Sequence, residues 1–268
     1  MKFYLTLLFV LCFTSARTQF SGMSAEKELN LQAATKQIGQ FIRRFNSEET
    51  PDGERLSSTD PNFRSPQRRT SYITMLFDQQ AELNATHKAN FVRFVTNQEE
   101  QQFLSLHGKG LVAEVPCQFK RNGKSETIRL YLRLQKENVG SKWVIFKASG
   151  DHYLKILGND TSQNDVFLHP LSHEIDFMNL ERAFSNPQKL RPYLANDFSY
   201  NHLNLMAYEL KSGAIHFETV TGLKIHWTQI SGWYFKLEQI HRENRNTGWL
   251  IRDLKPVNSE TDRFPWTH

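Results

Sequence analysis

His169 and His173 in HPLSHEID stand four residues apart, with Glu174 and Asp176 beside them. On a helix that spacing brings two imidazoles onto one face, as zinc sites use. Pro170 interrupts such a helix and no third ligand has an assured place, so a surface or capping role is expected and no metal is assigned. Cys117, in LVAEVPCQF, alternates with Ala113, Val115 and Phe119, the setting of a small core residue rather than a nucleophile. No GxSxG, GxGxxG or phosphate-loop pattern occurs, so no catalytic residue or cofactor is assigned either. The chemistry that remains is binding. Thr219, Thr221, Trp227 and Trp233 share strand parity with Phe217, Leu223, Ile225 and Phe235. Hydroxyls and indoles on an otherwise apolar face suit a ligand with an apolar body and a few polar handles. His216 and His226 have the opposite parity and are expected to face solvent.

The elements that must position these side chains fall into two similar runs. Ala113, Val115, Cys117 and Phe119 alternate, and Asn122-Gly123 marks a tight hairpin. Ile128, Leu130, Leu132 and Leu134 then alternate, and a turn through Asn138 and Gly140 leads into GSKWVIFKAS. The second run repeats this three-stranded meander: Phe217 to Ile225, a turn at Ser231-Gly232, Trp233 to Leu237, and GWLIRDLKPV. Trp143 and Trp249 are 106 residues apart, as are Phe119 and Ile225. Three strands in one order at a nearly constant offset point to an internal duplication.

Helical sequence precedes each meander. Leu29, Ala33, Ile38, Phe41, Ile42 and Phe45 have amphipathic spacing within 26–46, and Tyr72, Ile73, Leu76 and Phe77 suggest a second helix. Phe177, Leu180, Glu181 and Phe184 suggest the first helix of the later half, followed by a short element at Tyr193, Leu194 and Phe198. Helices followed by antiparallel strands define an α+β class, with helices packed on one sheet face. The expected organisation is a signal peptide over 1–16, a first domain over 17–148 with a polar loop at 46–69, and a linker over 149–170. A second domain over 171–257 and a tail over 258–268 complete it. The loop, poor in apolar residues, is expected to be mobile.

Amino-terminal helices, a loop and a curved antiparallel sheet ending on a tryptophan-led strand resemble the NTF2-like superfamily of cone-shaped α+β domains, here as a tandem pair over roughly 27–148 and 171–257. SKWVIFKAS and TGWLIRDLKPV carry the likeness. The resemblance implies a pocket between the helices and the concave sheet. It does not fix a reaction, since relatives include dehydratases, isomerases and cyclases as well as pure binding modules. Family enzymes place Asp, His or Tyr on the inward strand face or a pocket-lining helix; the inward-parity residues of the first meander include no proton carrier.

The leader MKFYLTLLFVLCFTSARTQ has Lys2, an apolar stretch from Phe3 to Phe13 and small residues at Thr14-Ser15-Ala16, the pattern of a cleaved secretory signal. Its apolar stretch is too short to span a bilayer, and Val10-Leu11 ahead of Cys12 disfavours a lipoprotein. Periplasmic or secreted localisation is expected, with no integral membrane segment after cleavage. The formal net charge of +5 is spread without a block of five basic residues, so a nucleic-acid partner is not expected. Together these features predict an exported, non-enzymatic binding or interaction protein. Its partner is an unidentified small apolar ligand or another protein, and a homodimer through the sheet faces is a further option. The alternative is a small-molecule lyase or isomerase drawing a carboxylate or a histidine from a helix or loop, with Asp176 or Asp197 as the candidate acid.

Overall fold

The computed structural model describes residues 37–138, 140–157, 201–243 and 246–257, together with Phe264. The expected signal segment, His169, His173, Asp176, Asp197, and the helices expected around Phe177–Phe184 and Tyr193–Phe198 lie outside these residues. The described part is α+β: a seven-stranded, curved antiparallel sheet with helices on one face.

The chain enters through helix α1 (37–46), which buries Ile38, Phe41, Ile42 and Phe45 along one stripe. The following segment is tied by polar contacts rather than by a core. Glu49 bridges to Arg55, its carboxylate takes Arg43 and Arg44 at 3.0 and 2.8 Å, and Arg64 pairs with Glu48. Helix α2 (Pro66–Leu76) starts earlier than the apolar spacing suggested, because Pro66 is suited to a first turn, where its missing N–H costs nothing. Arg68 and Arg69 are therefore helical, not part of the polar loop. Buried Arg69 donates to Phe45 O and Gln102 O and stacks on Phe103. Asn46 exchanges two 2.9 Å bonds with the backbone of Leu104, which pins the 96–110 segment to α1. Helix α3 (Ala85–Val95), not anticipated from the sequence, is capped by Asn84, whose side chain accepts from His87 N at 3.0 Å.

Strands β1 (Leu111–Arg121), β2 (Lys124–Glu137) and β3 (Gly140–Ser149) form the first meander. Asn122 and Gly123 both have positive φ, 49° and 79°, as a two-residue hairpin requires. Helix α4 (Asp151–Leu157) occupies the start of what the composition marked as a linker. Helix α5 (His202–Ser212) closes with Gly213 at φ 75° and leads into β4 (Ile215–Val220), β5 (Lys224–Trp227), β6 (Trp233–Ile240) and β7 (Gly248–Pro256).

The two meanders are halves of one sheet. The strand order is β3-β2-β1-β5-β6-β7, with β4 continuing the line of β5 beside β1. The first half of β1 pairs with β5 from Leu111↔Trp227, and its second half pairs with β4 down to Arg121↔Ile215. Each edge of this long strand thus has a partner, so the expected division at 149–170 is bridged by backbone hydrogen bonds. Helices α1–α3 cover β5, β6 and β7 as well as the start of β1: Phe41, Phe45, Phe91, Trp227, Phe235 and Ile251 share one core cluster. Helices α4 and α5 cover the other end of the same face, where Cys117, Phe119, Ile128, Tyr153 and Met206 meet. Trp143 and Trp249 lie in the third strand of each meander and both touch the α1–α3 cluster, but only Trp249 is fully buried. Register shifts at Gln118/Phe119, Tyr131/Leu132 and Lys236/Leu237 bend the strands around the helices.

Candidate functional site

The four residues read as a ligand face are not gathered. Trp227 is fully buried and stacks on Phe41 and Phe235 at 6.0 and 5.8 Å; its Nε1 has no acceptor among the described residues. Trp233 packs edge-on against Phe91 at 5.3 Å and also walls an open depression with Asn90 and Arg93 on α3. The hydroxyls lie farther along the sheet. Thr219 is opposite Gln118, whereas Trp227 is opposite Leu111, seven residues or about 23 Å away at strand rise. The register shift at Gln118/Phe119 sets Val220, not Thr219, against Cys117, so simple alternation from Phe217 breaks. Thr219 and Thr221 spend their hydroxyls on the carbonyls of Val220 and Pro116. Cys117 is buried, and burial raises its thiol to about 11, which keeps it protonated and unreactive at neutral pH.

The grouping with the composition of an acid–base relay lies on the opposite face of the sheet. Glu114 on β1, His226 on β5 and Tyr234 on β6 form a diagonal chain across three neighbouring strands. Glu114 Oε2 is 2.9 Å from His226 Nε2, and His226 Nδ1 is 2.8 Å from the Tyr234 hydroxyl. Each link joins residues offset by two in register, a reach that long side chains span. A carboxylate at Nε2 favours the proton there, leaving Nδ1 to accept from the tyrosine O–H. His226, expected in solvent, is 1% exposed. Its parity is as expected, but Val112, Tyr131 and Leu250 are buried around the same site, and the Phe264 ring lies 5.5 Å from Tyr234.

The electrostatics set the state of the acid and the phenols around the imidazole. Burial alone would raise the Glu114 carboxyl, yet the hydrogen bond from His226 and the charges of Lys224 and Arg129 keep it below the ordinary carboxylate value. Burial, with the negative charges of Asp253, Glu114 and Glu238, pushes the Tyr234 phenol up; burial and Glu114 lift Tyr131 to about 12. Glu114 is therefore the anion and the two phenols are neutral. The sequence carried a signal for this trio only in part. Alternation places Glu114 and His226 opposite the apolar positions, but the pairing of β1 with β5 that joins them spans more than a hundred residues.

Two further acids are enclosed in the same manner. Glu209 on α5 receives Arg121 Nη2 at 2.8 Å and the Tyr153 hydroxyl at 2.9 Å, linking α5, β1 and α4. Burial would raise its carboxyl, but Arg121 and Tyr153 together lower it. Asp78, just past α2, accepts from Arg242 at 2.7 and 3.1 Å and pairs with Arg252 at 3.1 Å, and the Arg242 hydrogen bond lowers its carboxyl. Among the described residues no three His, Cys, Asp or Glu side chains group as a metal site, and no helix is long and apolar enough to cross a membrane.

The fold and these clusters define an α+β protein with an open antiparallel sheet, helices on one face and a closed polar network on the other. Compared with protein-family models, curated proteins and solved structures, the chain matches none.

Proposed function

We propose that the chain is an exported, non-enzymatic binding or interaction protein of NTF2-like architecture, its two meanders derived from one repeated unit and sharing a sheet. The strand order, symmetric about the junction of β1 with β4 and β5, supports the repeat. Helices gathered on the concave face support the family resemblance, and the leader supports export.

The observation that carries the non-enzymatic reading is the state of the Glu114–His226–Tyr234 chain. A general base or acid needs an open approach to substrate and a proton affinity near the working pH. Here the imidazole is sealed, its flanking carboxylate is stabilised as the anion, and its flanking phenol is held neutral. Those conditions fit a network that fixes strand register. The lyase or isomerase reading would use the same three side chains, and it requires that the outer face open.

Diethyl pyrocarbonate, which acylates accessible imidazoles, separates the two. Exposed His107 and His216 should react promptly in the native protein while His226 reacts only on unfolding. Modification of His226 at the pace of His216 would show an accessible imidazole and overturn the reading.

A further inference from the structure

A groove of about 370 Å³ opens between α1, α2 and the start of β7, away from the interior where the aromatic core fills the space under the sheet. Its floor is apolar, made by Phe41, Leu76 and Trp249, and Met75, 57% exposed, overhangs it. Its polar rim is neutral, from Gln37, Gln40, Thr50 and Thr247, and among the described residues Arg44 is the single charged one lining it.

Arg44 is held in a specific way. Its Nε donates to Glu49 Oε1 at 2.8 Å, and Arg43 Nε takes the other oxygen of the same buried carboxylate at 3.0 Å. Two guanidinium groups thus share one acid, leaving an excess positive charge. The Arg44 side chain remains 43% exposed. The nearby Arg68 is committed elsewhere, to Glu49 O and the Tyr72 hydroxyl. An arginine anchored through Nε keeps its two terminal nitrogens to offer a planar acceptor, and a carboxylate matches that fork.

We propose that this groove binds an amphipathic monocarboxylate, with the acid group on Arg44 and a short alkyl or aryl body against Phe41, Leu76 and Trp249. A dianionic phosphate would need a second available cation, whereas a neutral apolar compound would leave the guanidinium unanswered. The volume is at the small end for ligand pockets, which limits the body to a short chain or one ring system. A flexible methionine at the mouth suits apolar bodies of varied shape. The inference rests on the binding reading above and gives it a site and a ligand class.

The test is isothermal titration of the mature chain with decanoate and 3-phenylpropanoate, kept below micellar concentration, against 1-decanol as the uncharged control. Saturable one-to-one binding of at least one acid is expected, with 1-decanol at least tenfold weaker. Arg44→Gln should weaken the acid at least tenfold, and Arg44→Lys less. Met75→Trp, on an exposed side chain that leaves the core intact, should block the mouth and reduce binding by a similar factor. Absence of acid binding, or equal affinity in folded Arg44→Gln and Met75→Trp, overturns the groove assignment and leaves the wider binding reading standing. Conversion of a bound acid to a product would instead overturn that wider reading.

Discussion

Replacing Glu114 by Ala removes the anion at one end of a buried chain and leaves His226 Nε2–H without its 2.9 Å acceptor. An orphaned buried donor costs about 1–3 kcal/mol, and breaking a buried ion pair by deleting one partner about 3–5 kcal/mol. Lys224 and Arg129 lie 3.6 and 3.9 Å from Glu114 and are 38% and 49% exposed, so water takes over much of their stabilisation. A loss of about 3 kcal/mol is therefore expected for Glu114→Ala, and about 1–2 kcal/mol for Glu114→Gln, which keeps an acceptor but no charge. In a domain of this size the alanine variant should melt about 6–12 °C lower. Urea unfolding followed by far-ultraviolet circular dichroism measures both, and a cycle with His226→Ala should show coupling above about 1 kcal/mol. The pH dependence has a defined sign. Because folding lowers the Glu114 carboxyl, its contribution is complete above the unfolded value near 4.5 and is lost as pH falls below it through the folded value. The gap between wild type and Glu114→Gln should narrow over that acidic range. A Glu114→Ala loss under about 0.5 kcal/mol, or no coupling to His226, would refute the claim that this network holds the strands.

Trp227→Ala should cost about 3–5 kcal/mol in urea unfolding, and Trp143→Ala clearly less, because Trp143 is only partly buried although its strand is the counterpart of the one bearing Trp249. Glu209→Ala should destabilise by about 3 kcal/mol and speed amide exchange in α4 and α5 ahead of β6 and β7, since Glu209 joins α4, α5 and β1. Asp78→Asn should lower stability by about 2 kcal/mol at neutral pH, with the deficit shrinking below the unfolded carboxyl value near 3.8; thermal melts across pH report it.

The strands were legible because alternation is a local signal. Ala113, Val115, Cys117 and Phe119 share the helix-covered face, and Asn122-Gly123 makes the expected tight hairpin. The α1 stripe was equally legible from Ile38, Phe41, Ile42 and Phe45. Local patterns do not state which strand lies beside which. Thus the partnership of β1 with β4 and β5, which merges the meanders, was invisible, and so was the meeting of Glu114 with His226. Helix α3 escaped notice because its buried residues, Phe91 and Val95, make only one short i, i+4 pair, while Asn84 supplies the start signal. Parity failed at Thr219 because one register shift turns it to the face opposite Phe217, and no residue type in the sequence marks that shift.

We propose that this protein binds without transforming what it binds. The full chain, incubated with a concentrated small-molecule extract and sampled over hours by mass spectrometry, tests this. One or more compounds should be retained in stoichiometric amount and recovered unchanged, with the same retention by folded His226→Asn. Depletion of any compound over many turnovers by the wild-type chain, abolished in His226→Asn, would contradict it.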